Sequence, residues 1–179
     1  MRHLGNAVLL DSGFPKCQRG RFDIISAAPI ATLCSTKGVL TGDNLPFTLK
    51  GISDPFAAIT LLQANTQKQL SEQAHGFDAN AHTDIQNPPF CGGLLGHFSY
   101  DLGRCIEKIP ELAVDDLDLP EMQLGMYTWA IIIDHQLSQC YLMGSELISD
   151  DHFIELQRLL ETKSPSSDVD SISLTTDFS

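Results

Sequence analysis

The residues best suited to chemistry in this 179-residue chain gather near its start. Ser12 sits in the turn tripeptide Asp11-Ser12-Gly13, and a polar loop follows from Pro15 to Arg21. Lys16, Arg19 and Arg21 are three of the chain's 11 basic residues, within six positions. One reading is an anion or carboxylate site, with Arg21 as a forked donor and the Ser12 hydroxyl across the loop. The other is a solvated connection, because loops are polar by default. From the residues alone the second is favoured.

Other groupings point less far. Gly92, Gly93 and Gly96 do not give G-x-G-x-x-G, and no Gly-Lys-Ser/Thr follows, so a nucleotide cradle is a poor reading. Their density suits a strand on which another backbone packs closely, since a Cβ would hold the partner away. His75 and His82 lack neighbouring ligands at metal-site spacing and are expected in solvent. Asp115, Asp116 and Asp118 lack the spaced ligands and glycine of an EF-hand and read as a solvated run. Asp134 beside His135 resembles an acid/base pair, but at a hairpin end a turn-stabilising contact is the commoner outcome. No catalytic residue and no metal ligand is assigned.

Periodicity supplies the elements that would position these groups. Ala7 to Leu10, Phe22 to Ala28, Ile30 to Thr36 and Val39 to Thr41 read as strands with turn signals between them, and Phe47-Thr48-Leu49 as a short further one. Ser53-Asp54-Pro55 starts a helix running to about Gln73, with Phe56, Ile59, Leu62 and Leu70 as its apolar stripe. Ser99 is placed to cap a short helix from Tyr100 to about Lys108. Gln123 to Asp134 gives the strongest strand signal, and Gln139 to Gly144 returns as a hairpin arm. A second helix runs from Ser149 to about Lys163, with Phe153, Leu156, Leu159 and Leu160 as its stripe. The expected fold is α+β: a mostly antiparallel sheet or sandwich of seven to nine strands with packed helices, in one domain. Residues 1–163 form that domain, and the Ser/Asp-rich residues 164–179 read as a linker.

Composition narrows the function classes. The net charge of −12 and the absence of a Lys/Arg cluster argue against nucleic acid. No apolar run nears the roughly 20 residues of a membrane span. The start, Met1 to Asn6, leads into no long apolar segment, so no signal peptide is expected. Five widely spaced cysteines without C-x-x-C read as reduced thiols of a cytoplasmic protein, several of them buried.

Three stretches together resemble the N-terminal region of chorismate-using synthases, and most closely component I of aminodeoxychorismate synthase. The first is Leu9-Leu10-Asp11-Ser12-Gly13 with Gly20-Arg21-Phe22-Asp23-Ile24 and Pro29. The second is Phe90-x-Gly-Gly-x-x-Gly-x-Phe-x-Tyr-Asp-Leu-Gly-Arg104, continuing to Glu107 and Pro110. The third is Leu119-Pro120, then Gly125-x-Tyr127-x-Trp129 and Asp134-His135. Anthranilate synthase component I shares the second motif and is the near alternative.

The resemblance implies a step toward folate, in which chorismate gains an amino group from ammonia supplied by a glutamine amidotransferase subunit. It places the chorismate and magnesium site in a C-terminal domain beyond this chain, so the chain by itself is expected to be inactive and to hold no cofactor. It also implies a tryptophan pocket at Ser12, Arg19, Gly20, Arg21 and Phe22. Arg19 and Gly20 depart from the tyrosine and serine of some relatives. A free-standing amino-acid-binding module is the reading from a different class.

Overall fold

The computed structural model describes residues 4–13, 20–73, 88–110 and 117–161. It divides into two compact units, Met1–Ser149 and Asp150–Ser179. The first carries eight strands among its described residues: β1 Val8–Leu10, β2 Phe22–Ser26, β3 Ala31–Thr36, β4 Val39–Thr41, β5 Gly93–Phe98, β6 Met122–Tyr127, β7 Trp129–Asp134 and β8 Gln139–Gly144. They form two four-stranded antiparallel sheets, ordered β1-β2-β7-β8 and β4-β3-β6-β5. The fold is α+β, as expected, with the strands split between two sheets.

That split corrects the reading of Gln123 to Asp134 as one strand. The segment is β6 and β7, and the chain changes sheets at the single buried residue Thr128. Opposite it, β2 and β3 change sheets through residues 27–30. β2 pairs with β7 and β3 with β6, so the two long segments make one antiparallel ribbon bent into both sheets. From Ile25 to Ala31 the ribbon takes six steps, but from Ile131 to Met126, their partners, only five. The extra residue is a bulge, the usual device for re-aiming a strand. Ala28 sits there with φ +52°, and Pro29 follows. An apolar run reports burial but carries no signal for such a switch, which depends on the partner strand.

One core lies between the second sheet and α1, Pro55–Gln73. Ala31, Leu33, Met122, Leu124 and Met126 pack with Ala58 and Leu62. Asp54 starts the helix: its carboxylate accepts the Phe56 amide at 2.9 Å, and Pro55 takes the first helical position. The buried stripe is Pro55, Ala58 and Leu62, while Phe56 is 40% exposed. At about 100° per residue Phe56 falls on the flank of that stripe. A second cluster lies on the first sheet, where Ala130, Ile132 and Met143 meet Phe22, Ile24, Phe90 and Tyr141.

Other local expectations are adjusted. Phe47–Leu49 forms no strand. The helix after β5 is a 3-10 helix, Tyr100–Cys105, short of Lys108, and the Ser99 side chain makes no cap bond. Instead Arg104 Nε donates to Asp101 and its Nη1 to the Ile109 carbonyl, fastening both ends. The four described cysteines are all free, and none is fully buried. In the second unit, α2 runs Asp150–Glu161, with Asp150 and Asp151 in its favourable first turn and Leu156 buried. Residues 162–179, including the expected linker, lie outside the described residues, as do His75, His82, Asp115 and Asp116.

Candidate functional site

The β1–β2 hairpin and the β7 end carry a polar cluster built from Ser12, Gly20, Arg21, Asp23, Asp134 and His135. Its layout rests on the register of β2 against β7. Phe22 is the Cα partner of Asp134, and Asp23 of Ile133. Two charge contacts cross between the strands here, Arg21 with Asp134 and Asp23 with His135. Arg21 Nε lies 3.0 Å from both Asp134 oxygens, and Nη2 lies 2.5 Å from Oδ2. One step along, His135 Nε2 is 2.7 Å from Asp23 Oδ2. The His135 amide also donates to the Arg21 carbonyl at 2.9 Å.

Asp134 is fully shielded from solvent. The Arg21 guanidinium holds its carboxyl down to about 2, helped by the Leu137 and Gln136 amides and opposed by burial. Those two amides, at 3.1 and 2.9 Å, make Asp134 the residue that stabilises the following turn. His135 instead reaches across to β2, so Asp134 and His135 do not pair with each other. The hydrogen bond it donates to Asp134 raises the Arg21 guanidinium above its ordinary value. Arg21 also lies over the Phe22 ring, 4.6 Å from its centroid.

Asp23 holds the other side. Its Oδ1 accepts the Ser12 amide at 2.9 Å and lies 2.8 Å from the Ser12 hydroxyl. That hydroxyl is also 2.9 Å from the Gly20 carbonyl, and donates to one acceptor at a time. Gly20 is buried against Ser12: a Cβ there would lie 3.1 Å from the Ser12 carbonyl oxygen.

This order of groups decides the chemistry. A serine nucleophile needs an imidazole on its hydroxyl and a carboxylate behind the imidazole. Here the carboxylate stands between hydroxyl and imidazole, so the order is not that of a serine triad and the cluster reads as a clamp. Among the described residues no group of three His, Cys, Asp or Glu side chains could hold a metal. Asp118 pairs with Lys37 at 2.6 Å, in solvent.

Of the pocket residues read from the sequence, Ser12, Gly20, Arg21 and Phe22 come together at this sheet end, and Arg19 lies outside the described residues. Arg21 commits Nε and Nη2 to Asp134, so its fork faces the protein. Sequence reading passed over Asp23 as a partner. Its signal was a carboxylate inside the apolar strand Phe22-Asp23-Ile24-Ile25.

Two clefts lie elsewhere on the first unit. One, of about 200 Å³, runs along the second sheet at Leu95, His97, Gln123 and Gly125. The other, of about 550 Å³, lies between α1 and Gly93, Leu94 and Met126.

No protein-family model matches the chain. Among curated proteins it is 40% identical over 139 residues to aminodeoxychorismate synthase component 1 of Klebsiella aerogenes, covering 77% of this chain and 28% of that protein. It is 38% identical over 137 residues to the Escherichia coli protein of the same description, covering 76% of this chain and 27% of that one. A shorter match, 52% over 48 residues, joins it to anthranilate synthase component 1 of Mycolicibacterium smegmatis, over 27% of this chain and 9% of that protein. Among solved structures, anthranilate synthase component I from Streptococcus pneumoniae has the same fold, with a TM-score of 0.52 and 21% identity over 82% of this chain and 30% of that one. The chain spans less than a third of the length of these curated relatives. It belongs to the component I family of aminodeoxychorismate and anthranilate synthases and matches a part of those proteins.

Proposed function

We propose that this chain is the N-terminal, non-catalytic domain of an aminodeoxychorismate synthase component I, acting in folate synthesis in the cytoplasm. One observation carries the choice of branch. The long matches at 38–40% identity are to aminodeoxychorismate synthases, whereas a long match to an anthranilate synthase, over 69% of the chain, is 28% identical, and the 52% identical one covers only 27% of it. The conversion of chorismate to 4-amino-4-deoxychorismate, with its magnesium, is assigned to a C-terminal domain outside these residues. A glutamine amidotransferase subunit supplies the ammonia. The Ser12–Asp23–His135 clamp does not have the order of a serine triad, which suits a supporting domain.

Within this role the β1–β2 end is the wall of a tryptophan pocket formed by Ser12, Arg19, Gly20, Arg21 and Phe22. The half-buried Phe22 ring offers an apolar surface to an indole, beside the Ser12 and Gly20 groups held by the clamp. Arg21 acts by fixing Phe22 from above. Calorimetric titration with L-tryptophan tests this, on the chain and on the same chain joined to a chorismate-binding domain. Binding to the joined protein, weakened by Phe22→Ala, supports the pocket. No binding to either removes tryptophan and leaves the synthase-domain reading standing.

A further inference from the structure

We propose that β5 is a dimerisation edge, along which a second copy of this chain pairs antiparallel so that the two second sheets become one. β5 ends its sheet and, among the described residues, has a neighbour on one side only. Beyond the Phe98–Met122 pair, the Ser99 amide donates to the Glu121 carbonyl at 2.8 Å. Bonded pairs alternate along an antiparallel ladder, so His97, Leu95 and Gly93 also bond to β6. Leu94, Gly96 and Phe98 therefore turn their N–H and C=O groups away from β6, toward the open edge. A row of backbone donors and acceptors at strand spacing is what another strand matches. Edges are commonly blunted by shortness, charge, proline or a bulge. β1 and β4 are blunted by their length of three residues. β5 has six residues in unbroken register, with no Lys, Pro or carboxylate among them.

The order of residues along β5 selects a second copy as the occupant. With Gly96 opposite Gly96 on the two-fold axis, Leu94 meets Phe98 of the second copy, and Phe98 meets Leu94 of the second copy. These side chains lie on the α1 face, because their β6 partners Met126, Leu124 and Met122 pack there. Beside Leu94, the sheet and α1 leave a cleft of about 550 Å³, walled by Thr60, Gln63 and Gln67. Phe98 is 55% exposed and supplies the ring that enters this cleft in the other copy. The two-fold repeats the fit, so one strand provides both the knob and the hole. No charged residue lines the cleft or lies in β5, so two chains of net charge −12 meet along an uncharged line. The seam does not involve Ser12, Arg21 or Phe22 and stands apart from the proposed amino-acid pocket.

The test is sedimentation velocity of the chain from micromolar to millimolar concentration, with amide hydrogen exchange read by NMR on the same samples. The expected result is a monomer–dimer equilibrium that tightens with added NaCl, as screening removes the repulsion between two acidic copies. As dimer forms, exchange at the Leu94, Gly96 and Phe98 amides should slow by about tenfold or more, while Leu95 and His97, bonded to β6, are slow throughout. Phe98→Lys replaces an exposed ring and sets a charge opposite Leu94. It should weaken dimerisation by roughly tenfold or more, as loss of an aromatic anchor does. Should that variant unfold, the exchange pattern of the unaltered chain decides alone. A chain that stays monomeric throughout, outward amides already slow in the dilute monomer, a dimer in which they remain fast, or unchanged association of a folded Phe98→Lys would overturn the proposal.

Discussion

Arg21 and Asp134, 113 residues apart, are joined by a fork in which Nε and Nη2 of the guanidinium meet both carboxylate oxygens. The contact pins the start of β2 to the end of β7, and the same carboxylate receives the two amides of the next turn. A residue that a sequence offers as a ligand donor is thereby a structural cross-brace.

This brace predicts an acid-sensitive stability. The Asp134 carboxyl titrates at about 2 in the fold and near 3.9 unfolded. Because the folded value is depressed, its contribution is present above about pH 4 and fades as pH falls toward 2. Asp134→Asn should lower the melting temperature at pH 7 by clearly more than Lys37→Ala, which breaks only an exposed pair. Its melting temperature should also fall less than the wild type's between pH 5 and pH 2. Parallel curves for the two proteins would contradict the assignment.

Asp23 serves Ser12 and His135 at once. Ser12→Ala removes one hydroxyl and should cost about 1 kcal/mol in urea unfolding, the net worth of a typical hydrogen bond. Asp23→Ala removes the acceptor for the Ser12 amide and His135 together and should cost about 2–3 kcal/mol. Equal losses in the two variants would show that Asp23 is no hub.

The glycine-rich run was read correctly from its composition, as a strand that must be approached closely. A Cβ at Gly96 would sit 1.9 Å from the Gln123 carbonyl oxygen and 2.9 Å from Leu124 Cα, both backbone atoms that cannot step aside. Gly96→Ala should therefore separate β5 from β6 and cost about 3 kcal/mol, the upper end of ordinary overpacking. At Gly125 the obstacles are the Tyr127 ring and Pro29, and Gly125→Ala should cost about 1–2 kcal/mol. Urea unfolding of both gives the order, and Gly125→Ala proving the more costly would reverse the argument.

α1 separates the sequence-read stripe from the observed one. Leu62 is 1% exposed and should cost about 2–5 kcal/mol as Leu62→Ala. Phe56→Ala, on the exposed flank, should cost less than about 1 kcal/mol on the helix as placed. A larger loss at Phe56 than at Leu62 would restore the stripe read from periodicity.

What was legible follows how local each signal is. Turn residues and β-branched runs located β1 to β4 and β8, five of the eight described strands, within two residues, and Asp54-Pro55 located α1, because these depend on neighbours along the chain. The division of Gln123–Asp134 at Thr128 was not legible, since an unbroken apolar run looks alike whether one sheet or two bury it. The clamp was half legible. Ser12, Arg21 and the pair Asp134-His135 stood out, but which carboxylate meets which cation is set by the β2–β7 register, a pairing more than a hundred residues apart.

The central claim is that these residues support a chorismate enzyme without containing its reaction centre. Its most direct test is a synthase assay with chorismate, ammonia and magnesium, following 4-amino-4-deoxychorismate formation by the chain alone, by a separately produced C-terminal domain of a relative's component I, and by the two mixed. The account predicts no product from the chain alone, and a higher rate for the mixture than for the C-terminal domain by itself. Product from the chain alone would place the reaction centre within these 179 residues and contradict it.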